Sequence, residues 1–167
     1  YDYFVIIPHF RNNNLAHINT TEKVREIINK IPKENLILLE NDDYDLKGDF
    51  NKVYQDYKSD IISALNKAAN RISNYDKIIL VYPKTSFYPF PLGILEGFKT
   101  YCLQNNFKFE IMEEVTSETL ISKKNLFITL EDDDLVNVVN KIKGGKYNLG
   151  NDVGVISYND SPLKKLL

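Results

Sequence analysis

The sequence predicts an α/β fold in which parallel sheets are flanked by helices. Short apolar runs alternate with helical patterns along the 167 residues, and this alternation is typical of parallel sheets with a helix between consecutive strands. Most of the apolar runs are continuous, as expected of strands that are covered on both faces. Hydrophobic residues make up 43% of the chain, which is enough for a packed core.

Six runs have the length and composition of strands. The first two belong to the N-terminal third of the chain and the other four follow residue 76. They are Tyr3–Ile7, Leu36–Leu39, Lys77–Tyr82, Phe107–Met112, Leu126–Leu130 and Val153–Tyr158.

Helical patterns lie between these runs. Asn19 and Glu22 have the spacing of a capping box ahead of an apolar stripe. From Phe50 to Ile72 the apolar spacing predicts one long helix of about six turns. Further helices are predicted after Pro91, over residues 135–142, and after Pro162. The segment 73–76 follows the long helix, so we predict two lobes, residues 1–74 and residues 75–167.

Composition and motifs exclude several classes of function. The net charge is −2, so the chain has no basic surface for nucleic acid. A single cysteine excludes an internal disulfide and a cysteine-rich zinc site. Neither glycine-rich phosphate loop occurs, which argues against a nucleotide cofactor bound in the usual ways. No apolar run approaches the roughly 18 residues of a membrane span. We therefore assign no catalytic residue, metal ligand, cofactor or membrane partner.

Ligands of open parallel sheets bind outside the carboxyl ends of the strands. Five of the six predicted strands are followed there by polar or aromatic side chains, and the strand 107–112 is the exception. The segments concerned are 8–11, 40–43, 83–88, 131–134 and 159–161.

The acidic run 131–134 has three interpretations. Asp132 or Asp133 caps the following helix, where a carboxylate accepts backbone N–H bonds. Alternatively, the carboxylates accept hydrogen bonds from the hydroxyls of a polyol. A magnesium site is the third interpretation, with the acidic residues 40–43 as the second source of oxygen ligands.

Only one polar residue near Asn159-Asp160 is needed to cap the last predicted helix. Asp160 or Ser161 is expected to cap the last helix, with Pro162 in its first turn. Because capping needs only one polar side chain, Asn159 is left to face the crevice.

Aromatic residues also follow the strands. They form either a wall for a sugar ring or base, or ordinary core packing. His9 comes directly after a strand and is a further pocket candidate. The aromatic set comprises Phe10, Tyr82, Phe87, Tyr88 and Phe90.

Several of these segments resemble one known family. The stretch 152–163, DVGVISYNDSPL, resembles the strand-and-turn signature of LacI/GalR-type transcriptional regulators, whose sensor domains have the type I periplasmic-binding-protein fold. Residues 126–139 resemble the family's strand that ends in Asn-Asp before a helix. Residues 94–98 resemble an Arg-x-x-Gly-aromatic motif in which Ile94 replaces the arginine that contacts effectors. That replacement disfavours ligands that an arginine would bind, such as a carboxylate, and leaves neutral sugars as possible effectors.

The resemblance implies a cytoplasmic effector-sensing domain and not an enzyme. The effector would be a small polar molecule, in the first place a monosaccharide, bound between two lobes of a homodimeric regulator. The chain would be a partial two-lobe fragment, and DNA would be bound by a domain outside it. The composition, rich in tyrosine and lysine, is similar to that of sensor domains of Bacteroides sugar regulators, which pair this fold with a GntR-type winged-helix domain. Ligand contacts are expected from nine residues: Asn159, Glu131, Asp132, Tyr82, Ser86 and Tyr88 in the second lobe, and His9, Phe10 and Glu40 in the first.

Two alternatives remain open at this point. One is an exported solute-binding protein of the same fold. The other is a magnesium-dependent phosphotransfer or hydrolase domain that uses the acidic runs 40–43 and 131–134.

Overall fold

The chain forms two compact units, Tyr1–Asp56 and Tyr57–Leu167. A computed structural model is the basis of this description. It describes residues 3–7, 10–11, 17–18, 21–39, 46, 48–84, 90–160 and 164. The units divide earlier in the chain than the predicted boundary at 74, and the assignment of the two lobes stays a prediction.

The first unit is built on a parallel sheet of three strands. These are β1 (Phe4–Ile6), β4 (Leu36–Leu39) and β5 (Asn51–Val53), in the order β1-β4-β5. A short antiparallel pair, β2 (Phe10–Arg11) with β3 (His17–Ile18), lies between β1 and the helix α1 (Glu22–Asn29) in the sequence. A 3-10 turn, Lys33–Asn35, leads into β4.

Helix α1 covers one face of this sheet. Its Ile28 is buried together with Leu36 and Leu38 of β4. The N-cap is Thr21, whose Oγ1 accepts a hydrogen bond from the Val24 N–H at 3.2 Å. The cap is therefore nearer the helix than the predicted Asn19, which lies outside the described residues.

The predicted six-turn helix from Phe50 to Ile72 is wrong in its first part. Residues Asn51–Val53 form β5, which pairs in parallel with β4, and the half-buried Phe50 packs against the same small core. The apolar residues at 50 and 53 fit a helical stripe, but pairing with β4 satisfies their backbone groups in a strand instead. The helix proper begins at Tyr57 and is interrupted at Ala68.

The second unit contains a four-stranded parallel sheet in the order β7-β6-β8-β9. The strands are β6 (Lys77–Val81), β7 (Lys108–Met112), β8 (Asn125–Thr129) and β9 (Gly154–Ser157). The helices are α2 (Tyr57–Lys67), α3 (Ala69–Ile72), α4 (Leu92–Gln104) and α5 (Asp132–Lys143). All six predicted strands are present, so the predicted α/β class with parallel sheets is confirmed. No helix among the described residues is long and apolar enough to cross a membrane.

Both faces of the central strands β6 and β8 are buried, which explains their continuous apolar runs in the sequence. Ile78 and Leu80 of β6 point to a core formed with α2, α3 and α4. Ile79 and Val81 point to the opposite face, which α5 covers. Cys102 of α4 is fully buried in the first core, and burial raises the pKa of its thiol to about 12.

Helices α2 and α4 approach each other closely at two glycines of α4. A Cβ on Gly97 would lie 2.6 Å from the Lys58 carbonyl oxygen and would also overlap Cγ2 of Ile61. A Cβ on Gly93, one turn earlier, would lie 3.1 Å from the Lys58 backbone nitrogen. The glycine of the segment 94–98 therefore has a packing role, since it lets the two helix backbones come together.

The connection from β7 to β8 covers the second face without a helix. Residues 113–124 are all described, and they contain neither helix nor strand. Val115 is 4% exposed and belongs to the same core as Phe127, and Ile121 packs at its edge. This connection thus fills a position where a crossover helix would be usual.

Three side chains of α5 hold this connection in place. Asp134 accepts the Val115 N–H at 2.8 Å, and Asn137 donates to the Val115 carbonyl at 3.3 Å. Lys141 donates to the Ser117 carbonyl at 2.7 Å. Spacings of three and four residues put all three on one side of the helix.

Candidate functional site

The carboxyl ends of three parallel strands meet side by side in the second unit. Thr129 of β8 pairs with Val81 of β6 on one side and with Ser157 of β9 on the other. The next residues continue the ladder, because the Tyr158 N–H donates to the Thr129 carbonyl at 2.9 Å. The segments that follow the three strands therefore begin at one edge of the sheet, as the sequence predicts.

Asp132 and Asn159 converge at this edge on one nitrogen atom. The Lys164 ammonium lies 2.8 Å from Oδ1 of Asp132 and donates to the backbone carbonyl of Asn159 at 2.7 Å. The side chain of Lys164 is 11% exposed, whereas that of Asp132 is 58% exposed. The structure thus brings together two of the predicted ligand-binding residues and adds a cation between them.

The acidic run 131–134 is divided between different tasks. Glu131 is the N-cap of α5, but its side chain makes no capping bond. The expectation that Asp132 or Asp133 caps the helix is wrong, because both lie inside its first turn. There their charge is still favourable beside the positive end of the helix.

Asp134 is the buried member of the run. Burial raises the pKa of its carboxyl, against the lowering effect of the hydrogen bond from the Val115 N–H. Glu131, Glu114 and Asp133 raise it further. Asp134 therefore has a structural role and is not available to a ligand at the sheet edge.

Tyr82, the first residue after β6, is directed into the core. Its side chain is 7% exposed, and its hydroxyl donates to the Phe90 carbonyl at 2.6 Å. The two rings lie 6.3 Å apart, and burial raises the pKa of the Tyr82 phenol. The aromatic pair therefore belongs to the core packing, and the hydroxyl of Tyr82 already has a hydrogen-bond partner.

Tyr158, the residue after β9, lies partly buried beside the start of α2. Burial is the main cause that raises the pKa of its phenol, and Tyr57 and Asp60 of α2 add to the effect. Sequence reasoning did not select Lys164 for the site. The aromatic position before Asn159 offered a signal for Tyr158, whereas no pattern in the sequence marked Lys164.

Several predicted site residues lie outside the described residues. They are His9, Glu40, Ser86 and Tyr88, and Phe10 is described as the first residue of β2. The acidic run 40–43 and the predicted helix after Pro162 are also outside them. Within the described part of the chain, no three His, Cys, Asp or Glu side chains lie close enough together to hold a metal ion.

Comparison with known proteins gives structural neighbours only. No protein-family profile and no curated protein sequence matches the chain. The Escherichia coli transcriptional repressor AscG has a TM-score of 0.64 and 15% identity, with 99% of this chain and 60% of that one covered. A sugar-binding transcriptional regulator of the LacI family from E. coli, complexed with phosphate, has a TM-score of 0.64 and 14% identity, with 98% and 59% covered.

A third neighbour is a LacI-family transcriptional regulator from Lactobacillus casei with bound glucose. Its TM-score is 0.61 at 11% identity, with 89% of this chain and 60% of that one covered. The chain thus spans about three-fifths of the length of these regulators. It has the periplasmic-binding-protein-like fold of LacI-family transcriptional regulators over that part of their structure.

Proposed function

We propose that this chain is the effector-sensing part of a cytoplasmic transcriptional regulator and binds a neutral monosaccharide. Its ligand would lie at the carboxyl ends of β6, β8 and β9. DNA would be bound by a domain outside this chain, in a homodimer, and no bond of the ligand would be made or broken.

The observation that carries this proposal is the convergence of Asp132 and Asn159. The Lys164 nitrogen reaches a carboxylate oxygen of Asp132 and the backbone carbonyl oxygen of Asn159. Two acceptors therefore point at the same small volume beside the sheet edge. Neighbouring hydroxyls of a sugar are donors at a similarly short spacing, and a carboxylate is a strong acceptor for them. The acidic surroundings, with Glu131 and Asp133 close in sequence, favour a neutral ligand over an anion.

The fold supports the regulatory part of the proposal. Neighbours with the same fold are named as transcriptional regulators, one of them sugar-binding and one with bound glucose. In such a protein the ligand must contact two conformations unequally, since otherwise it shifts no equilibrium. Coupling between ligand and DNA sites is typically worth about 1–3 kcal/mol.

Thermal unfolding tests the proposal directly. The purified protein is screened against neutral monosaccharides, sugar phosphates and Mg²⁺. A sugar at 100 times its dissociation constant adds about 2.7 kcal/mol to the free energy of unfolding, a shift of several degrees. Asp132→Ala, which removes the side-chain acceptor of the pair, should abolish that shift. Asp133→Asn, an exposed acid in the same helical turn as Asp132, should retain it.

Two results would contradict the proposal. A shift with Mg²⁺ or phosphorylated compounds alone would favour the enzyme alternative and the acidic runs as a metal site. An equal sugar shift in the protein and in Asp132→Ala would locate the binding site elsewhere.

A further inference from the structure

The side chain of Lys164 occupies the same acceptors that a sugar would need. Its ammonium interacts with the carboxylate of Asp132 and donates to the carbonyl of Asn159. An ammonium group has three N–H donors, and hydroxyl groups are donors of the same kind. A ligand that hydrogen-bonds to Asp132 must therefore share this carboxylate with Lys164 or displace it.

The positions and burial of the two residues distinguish this contact from an ordinary surface ion pair. Asp132 lies in the first turn of α5 next to Asp133, and Asn159 follows β9. The lysine is largely covered even though Asp132 is more than half exposed. The contact thus ties the chain after β9 to the start of α5, across the ends of two neighbouring strands.

We infer that Lys164 is an internal latch that competes with the ligand and must release Asp132 when a sugar binds. This inference rests on the proposed function, since it concerns the same site. In the absence of sugar the ammonium fills the acceptor pair, and its release breaks the contact of Lys164 with Asp132 at the start of α5.

Removing the lysine should therefore strengthen sugar binding. Lys164→Met keeps much of the apolar stem and removes the charge. We expect the affinity for a neutral sugar to rise about two- to fivefold, the size of effect of a partly exposed ion pair. Lys164→Arg keeps the charge and should bind like the unsubstituted protein. The probes are glucose, galactose, xylose and arabinose in thermal-shift titrations, with glucose 6-phosphate as the anionic counterpart.

The dependence of sugar affinity on ionic strength provides a second readout. A lysine with a merely structural role would not affect it. Salt weakens an ion pair but has little direct effect on a neutral ligand. The affinity for a neutral sugar should therefore rise with salt in the unsubstituted protein and stay constant in Lys164→Met. Without sugar, the double variant Asp132→Asn/Lys164→Met should have a melting temperature lowered by less than the sum of the two single-variant effects.

The outcomes separate the latch from the proposed site. Weaker binding of a sugar or of glucose 6-phosphate in Lys164→Met would make the lysine a ligand contact and overturn the latch. Equal sugar affinities of the unsubstituted protein and Lys164→Met at every salt concentration would also overturn it. Strictly additive effects of Asp132→Asn and Lys164→Met on the melting temperature without sugar would do the same. If no sugar shifts any variant, the sugar site itself is refuted, and the competition with it.

Discussion

Replacement of Gly97 by alanine should destabilise the second unit. A new Cβ would lie 2.6 Å from the Lys58 carbonyl oxygen and would overlap Cγ2 of Ile61. Neither the backbone of α2 nor a buried isoleucine can move freely, and overpacking of this kind costs about 1–3 kcal/mol. Alanine gains about 1 kcal/mol in helix propensity over glycine. We expect a net loss of up to about 2 kcal/mol in the free energy of unfolding, measured by urea denaturation followed by circular dichroism.

Gly93→Ala is the matched control in the same helix. Its Cβ would lie 3.1 Å from the Lys58 nitrogen and 3.2 Å from Cβ of Tyr57, so shifts of a few tenths of an ångström suffice. This variant should lose much less stability than Gly97→Ala. In an Ile61→Ala background one of the two overlaps at position 97 disappears, so the cost of Gly97→Ala should fall. A Gly97→Ala variant about 1 kcal/mol more stable than the original would refute the close approach of α2 and α4.

Three further predictions concern single polar groups. Replacing Asp134 by Asn should remove a pH dependence: its folded pKa is raised, so the stability of the original protein relative to the variant should fall as pH rises above 3.8 through the folded pKa. Urea unfolding from pH 3.5 to 7 measures this difference, and one that stays constant or rises would contradict the assignment. Thr129→Val should stabilise the protein by about 1 kcal/mol, because the buried Thr129 hydroxyl has no partner among the described residues; destabilisation in a thermal melt would reveal a partner. Tyr75→Phe should cost about 0.5–1.5 kcal/mol through loss of the 2.7 Å bond to the Gly150 carbonyl, whereas an unchanged midpoint of urea unfolding would show that this bond contributes nothing net.

The central strands β6 and β8 were predictable because both of their faces are buried. Ile78 to Val81 form a continuous apolar run, since one face meets α2, α3 and α4 and the other meets α5. The start of the long helix was not predictable in the same way. Apolar residues at 50 and 53 fit both a helical stripe and a strand, and the choice depends on β4, which is distant in sequence.

The candidate site was predictable only in part, for a similar reason. The rule that ligands bind at strand ends selects Asp132 and Asn159, which the structure brings to one edge. It does not distinguish Asp134 from its neighbours, because the burial of Asp134 depends on the connection that packs over α5. Lys164 was missed because its contact with Asp132 joins two residues that are far apart in the sequence.

The connection between β7 and β8 has a consequence for where foreign sequence can be inserted. Loops usually accept insertions, but Val115 is a core residue whose N–H and carbonyl are both bound by α5. An insertion before Val115 would pull it from the core. Leu120, in contrast, is 86% exposed. A fluorescent label or a short epitope placed beside Leu120 would leave the clamped part intact, and would report from the same unit as the candidate site.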